Sequence, residues 1–229
     1  MSALDYSVFK FVFFPSLEES RGEESSQDLR LRRAIRFSLD SQDDFRSYPF
    51  VVFDLETTGL DSNRDKILEI GAQKIVGFSV VDEMSTLISA KIPPSALATV
   101  ERISGITPDM LTGQPSVEEV LPRFLEFIKG SILVAHNASF DMGFIRAECL
   151  RQGVELDWPV FCTLKMAREI LARLARKNLD TLAEHYGFSF EARHRSIGDV
   201  KVTVAVLREL LMKEASHLLK WADMSPYRA

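Results

Sequence analysis

The chain has 229 residues, of which 46% are hydrophobic, and a formal net charge of −5. This apolar fraction is ordinary for a globular protein with a buried core, and the acidic balance speaks against a nucleic-acid binder that relies on a basic overall surface. Cys149 and Cys162 are too few for a disulfide framework, which favours a reducing, cytoplasmic setting. We expect no membrane-spanning helix, because no apolar run approaches about 20 residues. We also expect no secretory leader, because no basic segment precedes the apolar run at 8–14 and no small-residue cleavage site follows it.

Residues 1–48 are predicted to form an extension outside the main domain. It contains an apolar segment at 8–14, a Ser- and Glu-rich linker at 16–27 and a basic amphipathic helix at 28–39. In that helix Leu31, Ile35 and Leu39 recur at helical spacing, while the arginines face elsewhere. Such a helix either docks its apolar stripe on the domain or binds a partner.

The main domain is expected at 49–220, followed by a short C-terminal tail at 221–229. Strands are predicted at 50–55, 66–76, 81–92 and 132–135. Helices are predicted at 96–103, 116–129, 139–152, 163–176, 179–186 and 196–220, with a turn or short helix after Thr107. Strands followed by alternating helices and strands indicate the α/β class, with a mixed central sheet flanked by helices.

The most informative motif lies at the end of the first of these strands, where residues 54–60 read DLETTGL. Side chains two positions apart on a strand share a face, so Asp54 and Glu56 project together. Adjacent carboxylates repel and raise each other's pKa. A divalent cation that prefers oxygen ligands is therefore the natural counter-ion.

Two further acidic motifs stand where helices are predicted to begin. Residues 136–141 read HNASFD and residues 194–199 read HRSIGD. The carboxyl ends of strands and the N termini of helices build the sites of open α/β sheets. Each acid also has a structural explanation, because Asp141 would offset a helix dipole and Asp199 fits a capping pattern with Ser196. His194 lies on a loop between arginines, where a solvated surface residue is the alternative.

Taken in order, the Asp-x-Glu, Asn-x-x-Phe-Asp and His-x-x-x-x-Asp motifs resemble the signature of the DEDDh 3′–5′ exonucleases. The resemblance extends from about residue 49 to residue 211 and is greatest to the proofreading (epsilon) subunit type of DNA polymerase III. It implies an RNase H-like fold. It also implies an enzyme that hydrolyses phosphodiesters at DNA 3′ ends and releases nucleoside 5′-monophosphates, in proofreading or repair.

The same resemblance assigns roles to individual residues. The carboxylates implied as metal ligands are Asp54, Glu56, Asp141 and Asp199. His194 is implied as the general base, since a group that titrates near neutrality can take a proton from water. The residues that the resemblance and the motif positions assign to the 3′-terminal nucleotide are Thr57, Leu60, Asn137 and Phe140.

The cofactor expected at this site is a pair of Mg²⁺ or Mn²⁺ ions. Two such ions about 3.5–4 Å apart activate the attacking water and stabilise the leaving 3′ oxygen. Zinc would prefer clustered His and Cys ligands, which the motifs do not supply.

The chain departs from the proofreading type at two places. Many relatives carry a histidine immediately before Gly-Ile-Thr, where this sequence has Ser104. The proofreading subunit also holds its polymerase through a C-terminal tail, and residues 221–229 offer no comparable tail. A polymerase partner therefore has no support from this part of the sequence.

The expected partner is nucleic acid, with single-stranded or frayed DNA 3′ ends as the leading substrate. Arg173, Arg176 and Lys177 share a face of the predicted helix and would contact phosphates, unless they are a solvated charge run. One alternative is the same chemistry on RNA, as in RNase T-like or oligoribonuclease-like exoribonucleases. Another is a non-catalytic binding module on the same fold, which the presence of all four acids disfavours.

Overall fold

The computed structural model of the protein describes residues 33–229. Its strands are β1 (Arg33–Arg36), β2 (Phe50–Thr57), β3 (Ile67–Val76), β4 (Ser79–Leu87), β5 (Ile132–Ala135), β6 (Val154–Asp157) and β7 (Val160–Cys162). Its α-helices are α1 (Pro94–Ser104), α2 (Pro108–Leu111), α3 (Val117–Phe127), α4 (Ala138–Arg151), α5 (Thr163–Ile170), α6 (Leu179–Tyr186) and α7 (Ser196–Glu209).

Five of these strands form a central mixed sheet in the order β4-β3-β2-β5-β7. Strand β3 pairs antiparallel with β2 and with β4, whereas β5 pairs parallel with β2 and with β7. The remaining strands, β1 and β6, form a separate parallel pair. This arrangement confirms the predicted α/β class with a mixed sheet flanked by helices.

Strand β2 lies in the middle of the sheet, and its alternate side chains enter two different cores. Phe50 and Val52 pack with residues of α5, α6 and α7, whereas Val51 and Phe53 pack with residues of α3 and α4. Because side chains alternate along a strand, Asp54 falls on the face covered by α7. The pattern that buries the strand on both sides thus also directs its acidic end towards a helix.

Several boundaries differ from the sequence-based predictions. The third predicted strand ends at Leu87, α5 ends at Ile170, and α7 ends at Glu209, where a π-helical turn at Leu210–Glu214 replaces the regular helix. Strands β6 and β7 were not predicted, because they have only four and three residues. In contrast, the bounds of β5 and α6 agree with the prediction.

The amphipathic helix predicted at 28–39 is wrong for the part that the structure describes. Arg33–Arg36 is strand β1, and the Phe37 N–H continues the pairing by donating to the Asp157 carbonyl at 3.1 Å. Ile35 and Phe37 pack on the core, and the Phe37 ring lies 5.3 Å from that of Trp158. Pairing with β6 and burial of alternate side chains thus outweigh the helical spacing. The apolar segment at 8–14 and the linker at 16–27 lie outside the described residues.

The C-terminal segment packs against the domain. A 3₁₀ helix at Trp221–Tyr227 buries Trp221, Met224 and Tyr227 in the core that contains α5, and the Ala229 N–H donates to the Val160 carbonyl at 3.0 Å. None of the helices in this described part of the chain combines the length and apolar character that a bilayer crossing requires.

Candidate active site

Three carboxylates from two elements meet where β2 ends. Asp54 and Glu56 come from β2, and Asp199 comes from the first turn of α7. Each of the three offers a carboxylate oxygen, and these oxygens lie within 4.8 Å of one another. The spacing of two residues on a strand therefore places Asp54 and Glu56 on one face, and α7 supplies the third acid to it.

Asp141 adds a fourth carboxylate from the first turn of α4, where it is 2% exposed. Backbone hydrogen bonds from Leu55 and from Asp141 itself reach this carboxylate. Its negative charge is the main charge that raises the pKa of Asp54, after the effect of burial. Asp141 therefore lies beside Asp54, and it joins the group through Asp54 rather than through the close set of three.

A close approach of α7 to the sheet brings Asp199 to this place. Gly71 is the partner of Asp54 across the β2–β3 pair. A Cβ atom on Gly71 would lie 2.6 Å from the backbone nitrogen of Ile197 and 2.7 Å from Oγ of Ser196. Only a residue without a side chain fits there, so Gly71 permits the start of α7 to pack directly over the acidic end of β2.

Burial disturbs the ionisation of all four acids, and repulsion from neighbouring carboxylates adds to its effect on Asp54 and Glu56. Burial is the largest cause in each case, and it raises the pKa of Glu56 to about 8, of Asp141 to about 7 and of Asp199 to about 6. The pKa of Asp54 is also well above its usual value, because burial and three neighbouring carboxylates oppose its charge. Such a group of oxygens is suited to a cation that would offset this repulsion.

Arg193 is the protein's own cation at this cluster. Its guanidinium Nη1 donates to Asp199, and its Nε and Nη2 donate to the Asp180 carboxylate at 2.6 and 2.9 Å. The positive charge of Arg193 lowers the pKa of Asp54, of Glu56 and of Asp199. Arg193 is one of the two arginines that flank His194 in the sequence, and its contact with the acids was not predicted.

His194 precedes α7 and adopts a left-handed backbone conformation, with φ of 60°. Its Nδ1 lies 3.0 Å from Nη1 of Arg193. An arginine only donates hydrogen bonds, so Nδ1 accepts and carries no proton here. Burial and then the charge of Arg193 lower the pKa of His194. The ring is therefore neutral at neutral pH, and the backbone N–H of His194 donates to Oδ1 of Asp199 at 3.3 Å.

Glu69 is a buried acid that sequence reasoning missed. It is 1% exposed and lies opposite Glu56 across the β2–β3 pair. Arg195 donates to it through Nε at 3.1 Å and Nη2 at 2.5 Å, and the Ser196 N–H donates at 3.0 Å. An acid inside the otherwise apolar stretch of β3 was the signal that could have revealed it.

The residues predicted to bind a terminal nucleotide lie on β2 and α4 or in the loops next to these two elements. Leu60 is 86% exposed, and Thr57 donates from Oγ1 to the Gly59 carbonyl at 2.6 Å. Asn137 has φ of 74° and precedes α4, and Phe140 is half-buried in the first turn of that helix. The four residues are therefore carried by the same elements as Asp54 and Asp141 or by the adjoining loops, and their role in binding a nucleotide stays a prediction.

The loop that carries Leu60 is fixed by hydrogen bonds. Asp65 accepts from Oγ1 of Thr58 at 3.1 Å and from the Asp61 N–H at 2.9 Å. A Cβ atom on Gly59 would lie 2.4 Å from the Asp65 carboxylate, so the glycine makes this closure possible. Arg151 of α4 adds a clamp, because it donates to the Ser62 carbonyl at 2.7 Å. Leu60 is therefore an exposed apolar side chain on a well-braced loop.

A cleft of about 870 Å³ opens beside the acids. Its lining includes Asp54, Asp199 and Arg193, and it also includes the basic residues Arg168, Arg176 and Lys177. The helical face predicted for Arg173, Arg176 and Lys177 is wrong, because α5 ends at Ile170. Arg176 and Lys177 nevertheless reach the cleft, where Arg168 joins them.

His136 also lines the cleft, at the end of β5. Its Nδ1 lies 3.0 Å from Oγ1 of Thr163, and burial lowers its pKa to about 4. The ring is therefore neutral and held between β5 and α5, in agreement with a packing and hydrogen-bonding role.

Comparison with known proteins identifies the family. A model of the RNase T exonuclease family matches residues 51–207. The PolC-type DNA polymerase III of Clostridium perfringens is 42% identical over 159 residues, which cover 69% of this chain and 11% of that protein. The DNA polymerase III subunit epsilon of Aquifex aeolicus is 34% identical over 177 residues, which cover 76% of this chain and 86% of that protein.

Solved structures give the same result. Exonuclease X in complex with 5′ overhanging duplex DNA aligns with a TM-score of 0.59 and 27% identity, over 77% of this chain and 98% of that chain. The chain spans only 11–14% of the length of the first PolC-type polymerases that it matches. Exonucleases of this kind are metal-dependent, and the acidic group described above is able to bind a metal. The chain therefore belongs to the exonuclease family and has the RNase H-like fold of these enzymes.

Proposed function

We propose that this protein is a metal-dependent 3′–5′ exonuclease that releases nucleoside 5′-monophosphates from DNA 3′ ends, in proofreading or repair, with the exonuclease domain at 49–220. The observation that carries the proposal is the meeting of acids from β2, α4 and α7 beside a cleft with a basic wall. A carboxylate cluster alone is common, but together with Arg168, Arg176 and Lys177 it offers both a place for cations and a path for phosphates.

The residues that would hold the metal are Asp54, Glu56, Asp141 and Asp199. They fit a hard cation, because all of their donor atoms are carboxylate oxygens and their raised pKa values reflect charge that has too little compensation. We propose two ions, Mg²⁺ or Mn²⁺. When bound, such ions lower the pKa of an attacking water and stabilise the leaving 3′ oxygen.

The role proposed for His194 is to accept the proton of the attacking water. It precedes the helix that carries Asp199, and its lowered pKa keeps the ring neutral at neutral pH. Because Nδ1 accepts from Arg193, that nitrogen becomes available as a base only when the Arg193 contact is released. A substrate phosphate competes for the same guanidinium, which gives a reason for the release.

The nucleotide at the 3′ end is proposed to lie between Leu60 and Phe140. Leu60 offers an exposed apolar contact for a base. Asn137, which lines the cleft with Asp54, and Thr57, which follows Glu56 in β2, would supply sugar or phosphate contacts. The strand would continue along Arg168, Arg176 and Lys177, which contact phosphates without reading sequence. Both cysteines are free and buried, which suits the expected cytoplasmic location.

An exoribonuclease is the second candidate. It is favoured by one observation, the match to the RNase T family model over residues 51–207. The chemistry and the proposed ligands are the same, and the difference lies in how closely the protein approaches the 2′ position of the sugar.

Degradation of labelled strands tests the proposal. DNA, RNA and a mismatched primer–template, each labelled at the 5′ end, are offered with Mg²⁺, with Mn²⁺ or with EDTA. We expect a ladder of shortened DNA that EDTA abolishes, and no ladder with Asp54→Asn, which keeps the shape but removes one ligand charge. Faster shortening of RNA would favour the second candidate. Binding of the strands without shortening under any metal condition would refute the nuclease and favour a binding module.

A further inference from the structure

Glu69 binds the two residues that follow His194, Arg195 and Ser196. Its carboxylate accepts three hydrogen bonds, two from the Arg195 guanidinium and one from the Ser196 N–H. The donors lie one and two positions after His194 and at the first turn of α7. A charged pair with two parallel N–H···O contacts is both strong and specific in geometry.

The same face of β3 holds the start of α7 at a second point. Gly71, two residues after Glu69, allows Ser196 and Ile197 to pack directly on the strand. Glu69 also lies opposite Glu56, so its position is tied to that of a proposed metal ligand. Strand β3 therefore connects the acidic end of β2 with the loop that presents the histidine.

His194 needs such a connection, because its backbone conformation is unfavourable. A residue other than glycine with φ of 60° is strained, and it keeps that conformation only when its surroundings fix it. On one side of His194, Arg193 is bound to Asp180 and Asp199. On the other side, Arg195 is bound to Glu69.

We propose that Glu69 is a positioning residue that acts through Arg195 to fix the backbone of His194 and thereby aim the proposed base at the attacking water. The inference rests on the proposed exonuclease function. Glu69 itself is not assigned as a metal ligand, because its two oxygens already accept three hydrogen bonds and it is not among the acids whose oxygens converge within 4.8 Å.

The test compares Glu69→Gln with wild type. The amide keeps the shape of the side chain but turns an NH₂ group towards a guanidinium donor. We expect kcat to fall about 10- to 100-fold, as a small misplacement of a reacting group does. KM should stay within about twofold, since Glu69 does not line the cleft. The dissociation constant of Mn²⁺, measured by calorimetry without substrate, should rise no more than about twofold, because all four proposed ligands remain and the charge that is lost is one that opposes the ionisation of Glu56.

Arg195 supplies the second arm of the test. Arg195→Ala should lower kcat as much as Glu69→Gln, and the double variant should lose no more than the worse single variant, because both break one connection. Arg195→Lys, which restores a charge but not the paired contact, should recover part of the loss. If the pair served stability alone, the losses of kcat would instead add and would follow the fraction of unfolded protein. All assays are therefore run under conditions where circular dichroism shows each variant to be folded.

Lys201→Ala is the matched control. Lys201 also belongs to α7 and pairs with an acid, Glu191, at 2.6 Å, but this pair is exposed. Its loss should leave kcat unchanged. The inference is wrong if wild type shortens DNA and Glu69→Gln keeps kcat within about twofold of wild type. If Glu69→Gln does not fold, the same result with Arg195→Ala shows that the inference is wrong. A fall in Mn²⁺ affinity equal to the fall in kcat would also overturn it, whereas an inactive wild type refutes the exonuclease proposal itself.

Discussion

The guanidinium of Arg193 donates to the carboxylate of Asp199, which is one of the proposed metal ligands. The nitrogen that makes this contact, Nη1, also donates to Nδ1 of His194, the proposed base. One side chain thus engages a ligand and the base together. A divalent ion bound by Asp199 and a proton taken up by His194 both have to compete with it.

We therefore expect Arg193→Gln to bind Mn²⁺ more tightly than wild type. The substitution removes a positive charge that repels the ion and competes for the Asp199 carboxylate, and the gain should be about 3- to 10-fold. Calorimetry at pH 9 measures it, since the pKa of Glu56 is about 8 and protons would compete at lower pH. Arg208→Gln, which lies in α7 but outside the cleft, is the control for net charge. Equal affinity in Arg193→Gln and wild type would show that the guanidinium does not compete.

His194→Asn should separate the base from its backbone. Asparagine tolerates a positive φ better than most residues, so it retains the loop conformation while it removes the imidazole. We expect turnover to fall about 10²- to 10⁴-fold, the usual contribution of a general base, with Mn²⁺ affinity and DNA affinity nearly unchanged. Single-turnover shortening of labelled DNA gives the rate. A rate close to that of wild type would remove His194 from the proposed role.

Stability in EDTA should fall as pH rises from about 5 to about 8. Glu56, Asp141 and Asp199 have pKa values of about 8, 7 and 6 in the folded protein, all above their values in an unfolded chain. Over this range the folded protein binds more protons than the unfolded chain, so each increase in pH favours unfolding. Thermal melts in EDTA at several pH values test this.

The same thermal melts are repeated with Mn²⁺ in place of EDTA. An ion bound to the ionised acids stabilises the folded state, and the stabilisation should be largest at pH 8, where the metal-free protein is least stable. Asp54→Asn should flatten the pH dependence in EDTA, because it removes one of the repelling charges. A melting temperature that rises with pH in EDTA would contradict the assignment of raised pKa values.

Gly71→Ala should damage both stability and activity. The added Cβ would lie 2.6 Å from the backbone nitrogen of Ile197 and 2.7 Å from the carbonyl carbon of Ser196. Overpacking of this kind costs about 1–3 kcal/mol of unfolding free energy. Because α7 would be pushed away, Asp199 should leave the cluster and Mn²⁺ affinity should fall. Urea unfolding and calorimetry measure the two effects.

Gly143→Ala is the contrasting substitution. Gly143 lies inside α4, and a Cβ there would approach only Ser62, at 3.6 Å or more. Alanine in a helix interior is favoured over glycine by about 0.5–1 kcal/mol, so this variant should be more stable. If the two alanine variants changed stability alike, the close contact of α7 with Gly71 would not be the cause.

The features that the sequence predicts well are those set by local order along the chain. The period of two on β2 is enough to place Asp54 and Glu56 together on one face, and the burial of alternate residues on both sides bears this out. The bounds of β5 and α6 likewise follow from apolar runs with clear ends. The order of the acidic motifs was enough to indicate the family.

Other features depend on which elements meet, and for that reason they could not be read from the sequence. The pairing of Glu69 with Arg195 joins residues 126 positions apart and requires the register of β2 on β3. The contact of Arg193 with Asp180 similarly requires α6 to pack beside α7. For β1, the helical spacing of Leu31, Ile35 and Leu39 was misleading, since a partner strand at β6 was not foreseen.

The last residues of the chain have a consequence for solubility. Strand β7 lies at one edge of the sheet. Such a border, an edge with unpaired amide and carbonyl groups, allows strands of other chains to pair with it. Arg228 forms a bridge with Phe161, and the Ala229 amide bonds to Val160, so the chain covers part of its own border. A protein shortened before Trp221 would uncover both this border and the apolar surface beneath the 3₁₀ helix, and it would therefore be prone to aggregate.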